Sequence, residues 1–383
     1  MRNALLPFYR IVGDVGGSYS LAAVNRDLAL ALARVNPGRV RLELPPEGKW
    51  RSWRGVPKEQ RRALWPLALP RWRSGTEVTI SQRYPLHVPQ RRGDVCLSFF
   101  FWEESVVPDE TVAALNQGFD AVLAPTRFVA DALLNSGLEK PVHVVGLAPD
   151  LAPFFQLRRQ PGPGEGQGIT RFLHVSSAFP RKGVDLLLRA FVTEFKADDP
   201  VELTIKTFRN PHNRTVDHIG DLLAAVPDPP AIKIVEADIP REAMLDLYRN
   251  ADAMVLPTRG EGFNLPAAEA MAAGLPLIVS EAGGQADFCN AQNARLLPGR
   301  VAESRSHVAR QGSLWFEPDP GELAQAMREI VAGGPEIALR AERARAGVAE
   351  MTPERLAARI GTVVDSVLAR KHFGLGELAA QGV

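Results

Sequence analysis

Short apolar runs alternate with helically spaced apolar positions along almost the whole chain. Tyr9–Val15 reads as a strand, followed by Gly16-Gly17-Ser18. Leu21, Val24, Leu28 and Leu32 then recur on one helix face, and Pro37-Gly38 closes that helix. Val40–Leu44, Asp94–Trp102, Ala121–Pro125 and Val142–Leu147 read as buried strands, and Arg127–Asn135 as a helix. The stretch between Leu44 and Asp94 is irregular by pattern. Beyond residue 169 the alternation resumes. Strand Phe172–Ser176 leads into a helix with Val184, Leu187, Leu188, Phe191 and Phe195 on one face. Val201–Phe208, Ile232–Glu236, Ala253–Leu256 and Leu277–Val279 are further strands. Helices are expected over Pro240–Arg249, Pro266–Ala273 and Pro320–Val331, and the C-terminal stretch is helical throughout.

Such alternation implies parallel sheets covered on both faces. Gln160–Gly168 reads Gln-Pro-Gly-Pro-Gly-Glu-Gly-Gln-Gly, a linker composition. The expected organisation is therefore a first domain over 1–159, a linker over 160–169 and a second domain over 170–350. A helical segment over 351–383 follows, with the option of crossing back to the first domain. Both domains are doubly wound, so ligands belong at the carboxyl ends of the strands, and two facing domains would form a cleft.

Composition narrows the class. Apolar residues make up 45% of the 383 and charged residues 23%, the profile of a globular chain and not a disordered one. Cys96 and Cys289 are too few for a disulfide framework or a cysteine zinc cage, which suits a reducing compartment. The N-terminus lacks the apolar stretch of a signal peptide, and no apolar run approaches a membrane span. The expected location is the cytoplasm, with peripheral contact at the inner membrane face as an option.

That option comes from an asymmetry hidden by the net charge of +1. Lys49–Arg92 holds eleven Lys and Arg against two acids, while the rest of the chain carries −8. The segment also contains Trp50, Trp53, Trp65 and Trp72 of the chain's six Trp. Basic charge with interleaved Trp suits anionic lipid or a lipid-linked acceptor. A solvated arginine-rich insertion fits the composition equally. The segment matches no nucleic-acid recognition motif, so nucleic acid is not expected as a partner.

The stretch richest in chemistry is Pro257–Ser280, PTRGEGFNLPAAEAMAAGLPLIVS. A strand ends at Leu256-Pro257, and Pro266 suits the first turn of a helix that Gly274 can end. The N–H groups of Phe263, Asn264 and Leu265 lie at that helix's positive end, where a phosphate is favoured. Glu261 and Glu269 bracket the spot, with the reach to hold the hydroxyls of a sugar and a ribose. Phe179-Pro180-Arg181-Lys182-Gly183-Val184-Asp185 likewise follows a strand and opens a helix. It sets Arg181 and Lys182 where a diphosphate would arrive. Gly13-Asp14-Val15-Gly16-Gly17-Ser18 follows the first strand but is not GxGxxG; a ligand loop and a plain tight turn fit it equally.

Together these stretches resemble the retaining GT-B glycosyltransferases of family 4. EGFNLPAAEAMAAGLP matches the family's E-x7-E signature at Glu261 and Glu269, and RKG at Arg181–Gly183 with VDLLLRAF matches its lysine–glycine helix start. Asn116–Phe128 looks like a first-domain stretch of the family, and Gly16-Gly17 stands at its glycine loop. The resemblance implies the GT-B fold: α/β, with two Rossmann-like doubly wound domains facing a cleft. It implies that Glu261 holds the donor sugar, that backbone from Gly262 to Leu265 binds sugar and phosphate, and that Glu269 binds ribose. Lys182 would stabilise the leaving diphosphate, helped by Arg181, Gly16 and Gly17. Two departures stand out. Ser177 occupies the position of a family arginine, and Phe101-Trp102-Glu103-Glu104-Ser105 lacks a family histidine, leaving Trp102, Glu103 or Glu104 to meet the acceptor.

The expectation is a retaining hexosyltransferase. It moves a mannosyl or glucosyl-type group from a GDP- or UDP-linked sugar to a saccharide, optionally lipid-linked, in cell-surface polysaccharide synthesis. No cofactor and no metal is expected: the histidines form no ligand pattern and no DxD falls in a cleft loop. A nucleotide-sugar epimerase of the same two-domain plan and a silent sugar-binding protein are the alternatives.

Overall fold

A computed structural model describes residues 6–17, 19–44, 53, 55–69, 75–90, 93–158, 168–213, 215–306, 308 and 311–373. The chain divides into two compact units. Unit 1 comprises 1–102, 107–149 and 351–383, and unit 2 comprises 103–106 and 150–350. The division after Pro149 precedes the Gly/Pro stretch, and residues 160–167 of that stretch lie outside the described residues.

Unit 1 runs β1 (Phe8–Val12), α1 (Ser20–Val35), β2 (Val40–Glu43), α2 (Lys58–Leu64), β3 (Glu77–Ser81), β4 (Val95–Phe99), α3 (Asp109–Gly118), β5 (Ala121–Ala124), α4 (Arg127–Asn135) and β6 (Val142–Val144). Its parallel sheet has the order β2-β1-β3-β4-β5-β6. The basic Trp-rich segment is therefore not irregular throughout. It forms α2, a 3₁₀ turn at Trp65–Ala68, and β3, which lies at the middle of the sheet between β1 and β4. Four of the five β3 residues are buried, including Thr79 and Ser81. Thr79 Oγ1 accepts from buried Arg10 at 2.8 Å, and Arg10 also meets Glu43 and Glu77, at 3.1 and 3.0 Å. That pairing lets a half-polar strand sit in a core. Trp50 and Trp72 lie outside the described residues, whereas Trp53 is buried and Trp65 exposed.

Unit 2 runs α5 (Ala152–Phe155), β7 (Thr170–Val175), α6 (Val184–Glu194), β8 (Val201–Lys206), α7 (Thr215–Ala225), β9 (Ala231–Val235), α8 (Arg241–Asn250), β10 (Ala253–Leu256), α9 (Leu265–Ala272), β11 (Leu277–Ser280), β12 (Arg295–Leu297), an antiparallel hairpin β13 (Gly299–Glu303) and β14 (Leu314–Pro318), α10 (Pro320–Ala332) and α11 (Pro335–Val348). The final helix, α12 (Pro353–Phe373), belongs to unit 1, where Arg34 meets Glu354 at 2.7 Å and Lys371 meets Asp120 at 2.7 Å.

The unit 2 sheet is parallel with the order β12-β11-β10-β7-β8-β9. Counted within the unit this is 3-2-1-4-5-6, the dinucleotide-fold order, and direction reverses between β7 and β10. Its core joins Phe172, Leu203, Ile205 and Val255 from the strands to Leu187 and Phe191 of α6, to Phe195 just past its end, and to Leu323 and Met327 of α10. The rings of Phe172, Phe191 and Phe195 lie 5.2–6.1 Å apart in tilted and edge contacts. Each strand is therefore anchored behind the loops that follow β7 and β10.

Candidate active site at the switch point of unit 2

The loop after β7 contains Ala178 at φ 54° and the loop after β10 contains Asn264 at φ 78°. Among the described residues these are the two non-glycine positions with left-handed backbone, and they flank the point where strand order reverses. Strain of this kind persists where surrounding structure over-determines it. Asn264 tolerates it through its polar side chain, whose Oδ1 accepts from the N–H of Ala267 and caps α9. Pro266 occupies the first turn, and Gly274 (φ 70°) closes the far end while Leu275 N–H donates to Ala270. The N–H groups of Phe263 and Asn264 have no hydrogen bond among the described residues.

The two loops are fastened to each other through backbone. Arg259 N–H donates to the Arg181 carbonyl at 2.7 Å, and the turn after β11 is tied to the second loop by Gly284 N–H, which donates to the Glu261 carbonyl at 2.7 Å. Gly183 (φ 69°) lies so close to Pro257 that a β-carbon would come 2.0 Å from the Pro257 carbonyl oxygen. A β-carbon on Gly260 would come 2.3 Å from the Glu103 carbonyl oxygen.

Charges converge on this frame. Lys182 Nζ donates to Glu261 Oε1 at 2.6 Å, and Arg181 Nη1 stands 3.5 Å from Glu261 Oε2. Arg181 also donates to the Gly260 carbonyl at 3.2 Å and to Glu103 Oε1 at 3.0 Å. Glu261 is 5% exposed and Arg181 9%, so these charges act in low dielectric. Burial, and then the charge of Arg181, push the Lys182 ammonium below its usual range, against the pull of Glu261. Beneath them His174 is fully buried. Its Nδ1 faces the Val255 carbonyl and its Nε2 the Ser176 hydroxyl, each at 2.8 Å. Burial takes its pKa down to about 4, so the imidazole is neutral at pH 7.

Glu269, on α9, accepts from the phenol of buried Tyr248 at 2.5 Å. Burial raises its pKa to about 7, while the Tyr248 bond and the charge of Arg241 lower it. Arg259 is held by carboxylates on both sides, Asp185 at 2.7 and 2.8 Å and Glu317 at 2.8 and 2.9 Å, with Trp315 under its guanidinium. Sequence pattern gave no sign of His174, Tyr248 or Arg259. Each acts through contacts with residues distant in the chain, and Arg259 alone had a visible address, beside the Gly260-Glu261-Gly262 triplet.

The remaining expected residues divide. Arg181, Lys182, Glu103 and Glu261 form one cluster in unit 2, and the backbone from Gly262 to Leu265 adjoins it. Arg181 puts a guanidinium beside Glu261, while Ser177, at the family's arginine position, contributes a carbonyl to Asn210 at 2.7 Å. Glu104 is buried and accepts from the Ser313 hydroxyl at 2.8 Å, and Trp102 is buried in unit 1 against Phe100. Gly16 and Gly17 lie in unit 1, where Gly17 has φ 87° and its carbonyl accepts from Arg26 at 3.0 Å. Among the described residues no group of three His, Cys, Asp or Glu could hold a metal, and no helix is long and apolar enough to cross a membrane.

Residues 170–333, about four-fifths of this unit, match the family model Glycosyl transferases group 1. A stretch of 143 residues is 35% identical to an MMP alpha-(1->4)-mannosyltransferase of Mycolicibacterium hassiacum, covering 37% of this chain and 32% of that protein. A stretch of 110 residues is 34% identical to a D-inositol 3-phosphate glycosyltransferase of Streptomyces avermitilis, covering 29% and 20%. The chain thus spans a third or less of the length of these relatives. The structure resembles sucrose-phosphate synthase of Thermosynechococcus elongatus (TM-score 0.65, 16% identity, 95% of this chain and 99% of that one). It also resembles Anabaena HepE solved with UDP-glucose (TM-score 0.63, 12% identity, 94% and 99%). The fold is GT-B. At these identities the likeness to solved GT-B proteins speaks for architecture, as expected from the alternation of strands and helices.

Proposed function

We propose that the chain is a retaining, metal-independent hexosyltransferase that takes its sugar from a nucleoside diphosphate and delivers it to a saccharide acceptor in cell-surface polysaccharide synthesis. The observation that carries the reading is the buried contact of Lys182 Nζ with Glu261 Oε1, 2.6 Å, between two loops at a topological switch point. On this reading donor hydroxyls donate to Glu261, and the ammonium of Lys182 moves onto the diphosphate, with Arg181 beside it. The free N–H groups of Phe263 and Asn264 take a phosphate oxygen, and ionised Glu269 accepts from the ribose hydroxyls. The bond from C1 to the diphosphate oxygen breaks as the acceptor oxygen bonds C1 from the same face. The acceptor's proton passes to the departing phosphate oxygen. Fixed positive charge at that oxygen is worth most in a site closed to water. The charge neutralisation assigned to Lys182 and Arg181 needs no metal. The mannosyltransferase relative and the neighbour holding UDP-glucose support GDP-mannose and UDP-glucose as first donors.

Titration of nucleotides and nucleotide sugars in a thermal-shift assay tests the reading, because a ligand at a hundred times its Kd adds about 2.7 kcal/mol to stability. A rise with UDP- or GDP-sugars, followed by nucleotide release only when a saccharide is present, is expected. Release without acceptor and recovery of an isomerised sugar would transfer the reading to an epimerase. Binding without any turnover would leave a sugar-binding protein. Peripheral contact with anionic lipid belongs to the same reading: Trp65, 48% exposed, and Leu69 stand beside exposed Lys58, Arg61 and Arg62. Vesicles with anionic lipid should retain the chain at low salt and neutral ones should not; equal, negligible retention would remove this part.

A further inference from the structure

Unit 2 contains a cavity of about 530 Å³ that none of Lys182, Glu261 and Glu269 lines. Its walls come from the turn before α6, from α6 itself, from the first residue of α7 and from the β13–β14 hairpin. The size is that of a small-molecule site, larger than an inorganic ion requires.

Besides Arg259, three arginines line it: Arg189 on α6, Arg300 on β13 and Arg305 just beyond that strand. All three are exposed, and among the described residues no ion pair or hydrogen bond engages their guanidinium groups. Asp185 and Glu317 also line the cavity, but both are already committed to Arg259, which they hold in two-pronged contacts. Their charge is therefore balanced in place, and Glu303 is the remaining acid on the wall. The second, independent observation is Thr215. It opens α7, an eleven-residue helix, lines the cavity and is 2% exposed, yet its hydroxyl has no hydrogen-bond partner among the described residues. A buried hydroxyl left without a partner costs roughly 1–3 kcal/mol unless something supplies one. It stands here at the positive end of a helix.

We propose that this cavity is a second ligand site on unit 2, built for a phosphate monoester on a sugar-sized molecule, with Thr215, Arg189, Arg300 and Arg305 as its anion contacts. Three guanidinium forks and a hydroxyl offer more donors than a carboxylate can accept, and they match the three terminal oxygens of a phosphate. The rest of the cavity takes the body of the molecule against Phe179 and Trp315. No bond is made or broken there; the site binds.

Calorimetric titration of the full chain with glucose 6-phosphate and with inorganic phosphate, at low ionic strength, tests this. Glucose 6-phosphate should bind the wild type. The double variant Arg300→Ala/Arg305→Ala, whose changes lie on the surface, should bind it at least tenfold more weakly, and Thr215→Val severalfold more weakly. Lys182→Ala should bind it unchanged. Tighter binding of the sugar phosphate than of inorganic phosphate supports a site for a phosphorylated saccharide; equal binding would overturn the role given to the saccharide body. Absence of binding by the wild type, equal binding by the double variant, or loss of binding in Lys182→Ala would overturn it. Failure of nucleotide sugars to bind at the switch point would leave this result standing, so the two readings fall separately.

Discussion

The loop at the switch point of unit 1 and its counterpart in unit 2 solve the same problem with different shares of side chain and backbone. In unit 1, strand order reverses between β1 and β3, and the loop after β1 is held by side chains. Asn25 Nδ2 donates to the Asp14 carbonyl at 2.8 Å and the Gln82 carbonyl at 3.2 Å, while Arg26 donates to the carbonyls of Val15 and Gly17. Polar side chains there satisfy backbone. In unit 2 the guanidinium groups of Arg181 and Arg259 also bind backbone across the loops after β7 and β10, but a direct backbone bond and close-approaching glycines share the fastening, and the side chains of Lys182 and Glu261 meet each other. Where backbone shares in holding a loop, some of its charged side chains, here Lys182 and Glu261, are left for a ligand.

Substitutions can break this contrast, the largest effect coming from the fastening itself. Gly183→Ala puts a β-carbon 2.0 Å from a carbonyl oxygen at a left-handed residue. A stability loss of about 3–5 kcal/mol is expected in denaturant titration; an unchanged midpoint would mean that the loops are not locked. Lys182→Ala should lower turnover by about 10²–10³-fold with the fold intact. Wild-type turnover would remove the lysine from the chemistry. Asn25→Ala, the unit 1 counterpart, leaves the buried Gln82 carbonyl and the half-buried Asp14 carbonyl short of a donor and should cost about 2 kcal/mol of stability with nucleotide affinity unchanged. Were it instead to cut turnover as deeply as Lys182→Ala without destabilising, the two loops would not differ in kind.

The smallest effect is one of pH. Glu269 titrates near 7 because burial disfavours its ionised form. Ribose hydroxyls donate to the carboxylate, so nucleotide affinity should rise roughly tenfold from pH 6 to pH 8. Stability of the free protein runs the other way, since an acid whose folded pKa is raised loses its contribution as pH climbs from about 4.5 to about 7. Glu269→Gln should flatten the affinity profile. Tyr248→Phe, which removes a bond that favours ionisation, should move its midpoint to higher pH.

How much of this was legible in sequence depended on range. Ala253–Leu256 and Arg127–Asn135 were readable to the residue, because a continuous aliphatic strand and an amphipathic turn-capped helix carry their pattern locally. β3 was not, because Glu77, Thr79 and Ser81 look solvated until Arg10 is placed beside them. Arg181, Lys182 and Glu261 were readable from Gly and Pro punctuation around short helices. Tyr248 and His174 were silent, since their partners, Glu269 and the Val255 carbonyl, lie 21 and 81 residues away. The hairpin that walls the second cavity has no apolar alternation strong enough to announce it.

The return of α12 to unit 1 bears on how the chain is made. A ribosome finishes the second α/β unit at residue 350, whereas the first waits for α12, some 220 residues after its own last strand. At ordinary translation speeds that interval is on the order of tens of seconds. Through that wait the part of α1 that packs on α12 stays uncovered while α2, β1 and β2 already shield the rest, so the nascent amino-terminal half presents apolar surface that a chaperone can hold.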